Sequence, residues 1–85
     1  MTQEKPIIIT IYSKDECSLC DKAKAIVEKV AQDYPLEIEM FDITTDPVIF
    51  EKYKYQIPVI AINGEIKFIS KVSEFWLRRE LANYN

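Results

Sequence analysis

The sequence of 85 residues predicts an α/β fold, in which a four-stranded mixed sheet is flanked by helices in the order β-α-β-α-β-β-α. Three observations predict it. An apolar run, Ile7 to Tyr12, precedes a long segment with helical periodicity, Asp46-Pro47 marks a helix start in mid-chain, and Asn63-Gly64 separates two short strand-like runs. Right-handed crossovers between these elements give a single sheet with helices on both faces.

The first half of the chain predicts a strand, a helix and a second strand. Ile7 to Tyr12 is β-branched and almost continuously apolar, which is typical of a central strand covered on both faces. From Ser18 the apolar residues recur at helical spacing, so a helix is predicted to about Asp33, ending before Pro35. Leu36 to Phe41 begins with strict alternation and predicts a half-buried strand.

The second half predicts a helix followed by a hairpin. Asp46 can cap a helix with Pro47 at its first position, and this helix is expected to run through Tyr55. Pro58 to Ile62 is an apolar strand, and Glu65 to Ile69 is its antiparallel return across Asn63-Gly64. Two strands joined by so short a turn form one edge of the sheet.

A last helix is predicted from Glu74 to about Ala82, with Ser73 as its cap. Val72 and Leu77 stand where a hydrophobic staple would place them. Trp76 lies within this helix and is expected in the core.

Composition and length limit the classes of protein that the chain can represent. With 48% hydrophobic residues, 29% charged residues and one glycine, it is typical of a folded globule. We expect residues 1–85 to form one domain, which buries about 60 to 65% of the surface of its unfolded chain. The net charge of -3 gives no basic field for a phosphate backbone, so we expect no nucleic-acid partner.

No membrane association and a cytoplasmic location are also expected. The longest apolar stretch, Ile7 to Ile11, is far too short to span a bilayer. Met1 to Pro6 lacks the basic start and small-residue cleavage site of a secretory signal. In a reducing cytosol, a pair of cysteines two residues apart is more often a redox or metal group than a structural disulfide.

The two cysteines of the chain, Cys17 and Cys20, stand in D-E-C-S-L-C-D between the first strand and the first helix. The positive end of the helix dipole favours a thiolate at Cys17, whereas Cys20 lies one turn inside and is more shielded. Asp15, Glu16 and Asp21 oppose this effect because they place negative charge near the sulfurs. Two inert cysteines are the simplest alternative. A zinc site lacks ligands, since the chain has no histidine.

Three segments together resemble a glutaredoxin, a member of the thioredoxin-fold superfamily. They are Y-S-K-D-E-C-S-L-C from Tyr12 to Cys20, Ile57-Pro58 at the start of the third strand, and Ile62-Asn63-Gly64 at the hairpin. The resemblance covers nearly the whole chain. It implies a dithiol-disulfide oxidoreductase in which Cys17 attacks a substrate disulfide and Cys20 resolves the mixed disulfide.

The resemblance also implies roles for three residues that could bind substrate. Lys14 matches the lysine that pairs with the glycine carboxylate of glutathione, although it could simply balance Asp15 and Glu16. Pro58 matches the cis-proline of the thioredoxin fold, where the backbone of the preceding residue, here Ile57, pairs with an extended peptide or glutathione. An ordinary trans proline at a strand start is the local alternative.

The chain also departs from the glutaredoxin pattern. Typical glutaredoxins have a Gly-Gly pair after the fourth strand, but this chain reads Ile69-Ser70-Lys71-Val72-Ser73-Glu74, and Ser18-Leu19 replaces the usual Pro-Tyr. Specificity for glutathione is therefore not implied. We expect a monomer without bound cofactor or metal that reduces protein or small-molecule disulfides and is recycled by glutathione or a thioredoxin-reductase-like donor.

Two metal-carrying functions remain as alternatives. Copper-chaperone domains also place two cysteines at this spacing between a first strand and a first helix, but they continue with two strands, whereas this sequence predicts a helix at Asp46-Pro47. An iron-sulfur carrier would use Cys17 from two chains. The second cysteine and the missing Gly-Gly pair count against it.

Overall fold

The computed structural model describes residues 5–84, which form a four-stranded sheet in the order β2-β1-β3-β4. β1 is the central strand, since it pairs with β2 in parallel and with β3 in antiparallel orientation. β4 pairs antiparallel with β3 at the edge, as the Asn-Gly turn predicts. The strands are β1 Ile7–Ser13, β2 Leu36–Asp42, β3 Val59–Ile62 and β4 Glu65–Ile69.

Three helices cover the two faces of this sheet. They are α1 Ser18–Val30, α2 Pro47–Tyr53 and α3 Glu74–Leu81. α1 and α3 lie on one face, where their apolar side chains share a core cluster with those of β1 and β3. α2 lies on the opposite face, because the ring of Tyr53 packs 5.2 Å from that of Tyr12, whose side chain points away from this cluster. The predicted α/β architecture is confirmed.

The core is dominated by isoleucine, valine and leucine side chains. Ile9 and Ile11 of β1 are fully buried, and so are Val27 of α1 and Leu77 and Leu81 of α3. Burying each such side chain stabilises the fold by about 1.5 to 3 kcal/mol. The other face of β1 is only half-buried at Ile8, Thr10 and Tyr12, so the expectation of full cover on both faces was wrong. α2, the helix on that face, has seven residues, and these side chains remain half-exposed beside it.

The helix caps form at the predicted residues. Asp46 accepts hydrogen bonds from the backbone N–H groups of Val48 and Ile49 through one carboxylate oxygen, at 2.9 and 3.2 Å. The Ser73 hydroxyl accepts the N–H of Trp76 at 3.1 Å. Each cap satisfies backbone donors that have no partner within the helix.

Several boundaries differ from the prediction. α1 ends at Val30 rather than near Asp33, because the last N–H groups bond to carbonyls three residues earlier and tighten the chain into a turn. α2 ends at Tyr53 rather than Tyr55, and β3 begins one residue after Pro58. A short 3₁₀ turn, Ile43–Thr45, was not predicted.

The two aromatic residues at the start of α3 are exposed. Trp76 retains 56% of its accessible surface, so the expectation that it lies in the core was wrong. Leu77 and Leu81, one turn apart, occupy the side of α3 that faces the core, so the Trp76 side chain points toward solvent. Val72 packs against the core cluster that contains Leu77. Within residues 5–84, no helix has the length and apolarity needed to cross a membrane.

Candidate functional site

The two cysteines form a disulfide where β1 gives way to α1. Their Cα atoms are 5.2 Å apart, well inside the range of ordinary disulfides. Cys17 is the N-cap of α1 and is partly exposed, whereas Cys20 lies one turn inside the helix with 2% of its surface accessible. A reagent in solution therefore reaches the sulfur of Cys17 before that of Cys20.

The start of α1 directs hydrogen-bond donors toward Cys17. The backbone N–H of Cys20 lies 3.2 Å from the Cys17 Sγ and donates to it, and the N–H of Asp21 donates to the Cys17 carbonyl at 3.1 Å. When the disulfide is reduced, the same donor and the helix dipole favour negative charge on the Cys17 sulfur. This local geometry agrees with the roles that the sequence suggests for the two sulfurs.

Charged side chains surround a pocket of about 300 Å³ on one side of the disulfide. Cys20 and Lys14 both line it, so Lys14 lies beside the sulfur site as the resemblance implies. Acidic residues outnumber basic ones around this pocket. Its charged lining residues are Lys14, Asp15, Glu16, Asp21, Lys24 and Asp42.

Glu16, the residue before Cys17, has an unusual backbone. Its φ of 60° lies in the left-handed region, which residues other than glycine and asparagine rarely adopt. Such a conformation turns the chain sharply from β1 into α1 and presents Cys17 at the surface. Nothing in the sequence pattern indicated this feature.

The pairing of β3 with β1 places Ile57 and Pro58 beside the end of β1. Val59 pairs with Tyr12, so the two preceding residues follow the chain past Ser13, where the cysteine loop begins. The Ile57–Pro58 peptide bond is cis, as the resemblance implied. Among residues 5–84, the backbone N–H and C=O of Ile57 have no hydrogen-bond partner. They are therefore free to pair with an extended chain. The charged pocket does not include either residue.

Aromatic residues near the site divide into packed and exposed. Tyr12 packs against the rings of Phe41 and Tyr53, at 5.3 and 5.2 Å between centroids, and is therefore structural. Tyr55 is 89% exposed.

Within residues 5–84, no group of three or more His, Cys, Asp or Glu side chains is placed to hold a metal ion.

One residue of the region was missed by sequence reasoning. The backbone N–H of Ser70 donates to the carbonyl of Pro58 at 2.8 Å, and its hydroxyl donates to the carbonyl of Gln56 at 3.3 Å. Ser70 thus holds the loop that carries Ile57. The absence of the expected Gly-Gly pair was the only sequence signal at this position.

The order of the elements, the cysteine pair at the start of α1 and the cis-proline before β3 define a thioredoxin-fold protein with a dithiol-disulfide pair. Within that class the chain belongs to the family described as "Glutaredoxin-like domain (DUF836)", whose model matches residues 8–82. The family resemblance seen in the sequence is confirmed.

Two relatives are consistent with this assignment. The chain is 33% identical over 64 residues to a thioredoxin of Methanocaldococcus jannaschii, covering 72% of this chain and 75% of the relative. It is 34% identical over 76 residues to "Glutaredoxin-like protein YDR286C homolog" of Dictyostelium discoideum, covering 82% of this chain and 70% of the relative.

The structural neighbours confirm the fold. The solution structure of protein Ne2328 from Nitrosomonas europaea superposes with a TM-score of 0.80 at 16% identity, covering 94% of this chain and 96% of the other. A mutant thioredoxin from Halobacterium salinarum gives a TM-score of 0.68 at 17% identity, with 92% and 74% covered.

Proposed function

We propose that the protein is a glutaredoxin-like thiol-disulfide oxidoreductase that reduces protein or small-molecule disulfides. The observation that carries this proposal is the pairing of a partly exposed Cys17 with a buried Cys20 at the start of α1. This asymmetry gives the two sulfurs different tasks. Membership of the glutaredoxin-like family supports the same conclusion.

The reaction needs only the two sulfurs and a disulfide substrate. In the reduced protein the Cys17 thiolate attacks one sulfur of the substrate, forms a mixed disulfide and releases the other substrate sulfur as a thiolate that takes up a proton. Cys20 then loses its proton and attacks the Cys17 sulfur. This step releases the second substrate thiol and leaves the Cys17–Cys20 disulfide. Two electrons pass from the dithiol to the substrate.

The remaining residues would position the substrate. Lys14 is exposed beside the sulfurs and would attract a carboxylate, such as that of glutathione. The unpaired backbone groups of Ile57 would form hydrogen bonds with an extended peptide or glutathione.

No bound cofactor takes part in this scheme. Glutathione or a thioredoxin-reductase-like protein would return the electrons, and a reducing compartment such as the cytoplasm suits that cycle. We expect the protein to act as a monomer.

The test is the reduction potential of the cysteine pair, measured by equilibration against glutathione and dithiothreitol buffers. We expect a reversible two-electron couple between about -270 and -180 mV. In the Cys20→Ser variant, mass spectrometry should detect one glutathione on Cys17, whereas the Cys17→Ser variant should take up none.

Two results would change the proposal. A pair that cycles but never takes up glutathione would indicate a protein reductant. A pair that does not cycle would exclude the oxidoreductase and favour a metal carrier, which should then retain copper(I) or an iron-sulfur cluster on anaerobic purification.

A further inference from the structure

An apolar groove begins at Leu19, which stands between the two cysteines in the sequence, and continues to the start of α3. Its first part, about 240 Å³, is lined by Leu19 and Ile26 of α1 and by Val72. Its second part, about 170 Å³, is lined by Val72, Phe68 and Trp76. The two parts share Val72 and Lys71, so they form one continuous surface. We call it the Leu19–Trp76 groove.

Exposed aromatic rings lie at the far end of this groove, where Trp76 lines it and Phe75 packs against Trp76. Phe75 and Trp76 retain 62% and 56% of their accessible surface and pack edge to face, with centroids 5.2 Å apart. Leu19, at the near end, is 52% exposed. The core beneath α3 is filled by Leu77 and Leu81 rather than by these two aromatic rings. An exposed aromatic pair that continues an apolar groove is typical of a binding surface.

The rim of the groove is positively charged. Lys22 and Lys71 line its first part, and the guanidinium of Arg79 lies 5.7 Å from the centre of the Trp76 ring. In the described part of the chain, none of these three cations forms an ion pair. The neighbouring cations Lys29, Lys67 and Arg78 are all paired with carboxylates.

This positive rim contrasts with the rest of the chain. The net charge is -3, and the charged residues that line the pocket beside Cys20 are four acids and two lysines. A difference in charge between two neighbouring surfaces can orient a bound chain. A segment with several negative charges is attracted to the groove, whose lining contains lysines and no carboxylate, more than to the pocket, which contains both signs of charge.

We infer that the Leu19–Trp76 groove binds an acidic segment with large apolar side chains in a disulfide-bearing protein substrate. This inference rests on the proposed oxidoreductase function and specifies its substrate class. Apolar side chains of the substrate fill the space between Leu19 and Trp76, and its carboxylates pair with Lys22, Lys71 and Arg79. The near end of the bound segment lies at Leu19, two residues after Cys17 in the chain, so the groove brings the substrate disulfide toward the attacking sulfur.

A second copy of the chain fits this surface less well. In a symmetric dimer the same patch meets itself, so the unpaired cations of one copy would approach those of the other. A bilayer would bind the aromatic rings and the cations, but it offers no disulfide to the cysteines at the near end. The position of Leu19 between the two cysteines in the sequence therefore favours a protein segment.

The first experiment measures binding without chemistry. The Cys17→Ser/Cys20→Ser variant is titrated into a short fluorescein-labelled peptide in which leucine and phenylalanine alternate with aspartate and glutamate, and fluorescence anisotropy is recorded. We expect saturable binding that weakens as NaCl is raised. Two matched peptides should bind at least about tenfold more weakly. One carries lysine in place of the acids, and the other carries serine in place of the apolar residues.

Variants of the groove, made in the same cysteine-free background, assign the binding to its residues. Phe75→Ala/Trp76→Ala should weaken binding of the acidic peptide about tenfold, and Lys71→Ser/Arg79→Ser about fivefold. The matched control is Val48→Ala/Lys52→Ser on α2, which removes an exposed apolar side chain and an exposed cation from the opposite face. Its binding should be unchanged. Equal affinity of the groove variants and the control would overturn the inference.

A kinetic measurement separates this inference from the proposed function. With the cysteines intact, the dithiol form reduces either neutral hydroxyethyl disulfide or an acidic, apolar peptide that contains a disulfide, in a single turnover. Phe75→Ala/Trp76→Ala should slow reduction of the peptide about tenfold and leave the small disulfide within about twofold. An equal loss with both substrates would overturn the inference, because the residues would then act through the sulfurs. Failure of the parent protein to reduce either substrate would refute the proposed function, while the binding experiment would still test the groove.

Two alternative occupants are tested alongside. Binding of the cysteine-free variant to vesicles of phosphatidylglycerol, with no binding of the acidic peptide, would overturn the inference in favour of a membrane surface. Dimerisation in sedimentation equilibrium that is abolished by Phe75→Ala/Trp76→Ala would overturn it in favour of a second copy.

Discussion

The backbone N–H of Ser70 donates a hydrogen bond to the carbonyl of Pro58 at 2.8 Å, and this bond joins the end of β4 to the loop before β3. The Ser70 hydroxyl reinforces it with a bond to the Gln56 carbonyl. Ser70 achieves this geometry with a φ of 72°, in the left-handed region that favours glycine. The position of the Ile57 backbone therefore depends on a strained residue outside the cysteine segment.

The strain at Ser70 can be measured with a pair of variants. Ser70→Ala loses the hydroxyl bond and keeps the strain, whereas Ser70→Gly loses the same bond and relieves it. We expect Ser70→Gly to be more stable than Ser70→Ala by about 1 kcal/mol in urea unfolding. Equal stability of the two variants would show that the backbone at this position is not strained.

The carboxylate of Glu74 makes the free energy of unfolding depend on pH in the acid range. Arg78 and then Lys29 donate hydrogen bonds to it and lower its pKa below the ordinary value of 4.5. Since the pKa is lower in the folded state, the stabilisation is present above pH 4.5 and is lost as the pH falls through the folded pKa.

The Glu74→Gln variant should therefore lose less stability than the parent between neutral pH and the acid transition, in urea unfolding measured as a function of pH. Glu28→Gln on the exposed face of α1 is the control, because Glu28 forms no ion pair within residues 5–84. Its pH dependence should match that of the parent. If Glu74→Gln also matched the parent, the ion pairs of Glu74 would contribute nothing in solution.

Neighbouring residues of α3 should differ sharply in their effect on folding. Leu77 is fully buried in the core cluster, and Leu77→Ala should lower the free energy of unfolding by about 2 to 5 kcal/mol. Phe75 is mostly exposed, so Phe75→Ala should change stability by about 0.5 kcal/mol or less. Urea unfolding of both variants checks this. A large loss in Phe75→Ala would show that the ring is required for the fold rather than available to a partner.

Negative charge next to Cys17 should slow its reactions as a thiolate. Glu16→Gln removes one charge beside the sulfur and keeps a side chain of the same size, so alkylation of the Cys20→Ser variant by iodoacetamide should become about two- to threefold faster. Glu28→Gln, further along α1, should leave the rate unchanged. A rate for Glu16→Gln equal to that of the parent would show that solvent screens this charge.

Local signals in the sequence predicted much of the fold. Asp46, Ser73 and the Asn63-Gly64 turn each act through hydrogen bonds or backbone preferences within a few residues, and each was confirmed. The direction of Trp76 was not predictable in the same way. Three consecutive apolar residues follow Glu74 at the start of α3, and packing against β1 and β3 decides that Leu77 rather than its neighbours faces the core.

The candidate site divides along the same line. The cysteine pair and its position at the helix start follow from the local sequence. The hydrogen bond between Ser70 and Pro58 depends on the pairing of strands across the sheet. The left-handed backbone of Glu16 could not be predicted either, because glutamate has no preference for that conformation. The resemblance to glutaredoxins, rather than any local pattern, indicated the cis bond at Pro58.

The outer margin of β2 has a consequence for the behaviour of the protein at high concentration. This strand ends the sheet, and its backbone could in principle extend the sheet into a neighbouring molecule. Glu37 and Glu39 are exposed along it. Two molecules meeting at this margin would align carboxylates with carboxylates, so electrostatic repulsion opposes fibril-like growth of the sheet from β2.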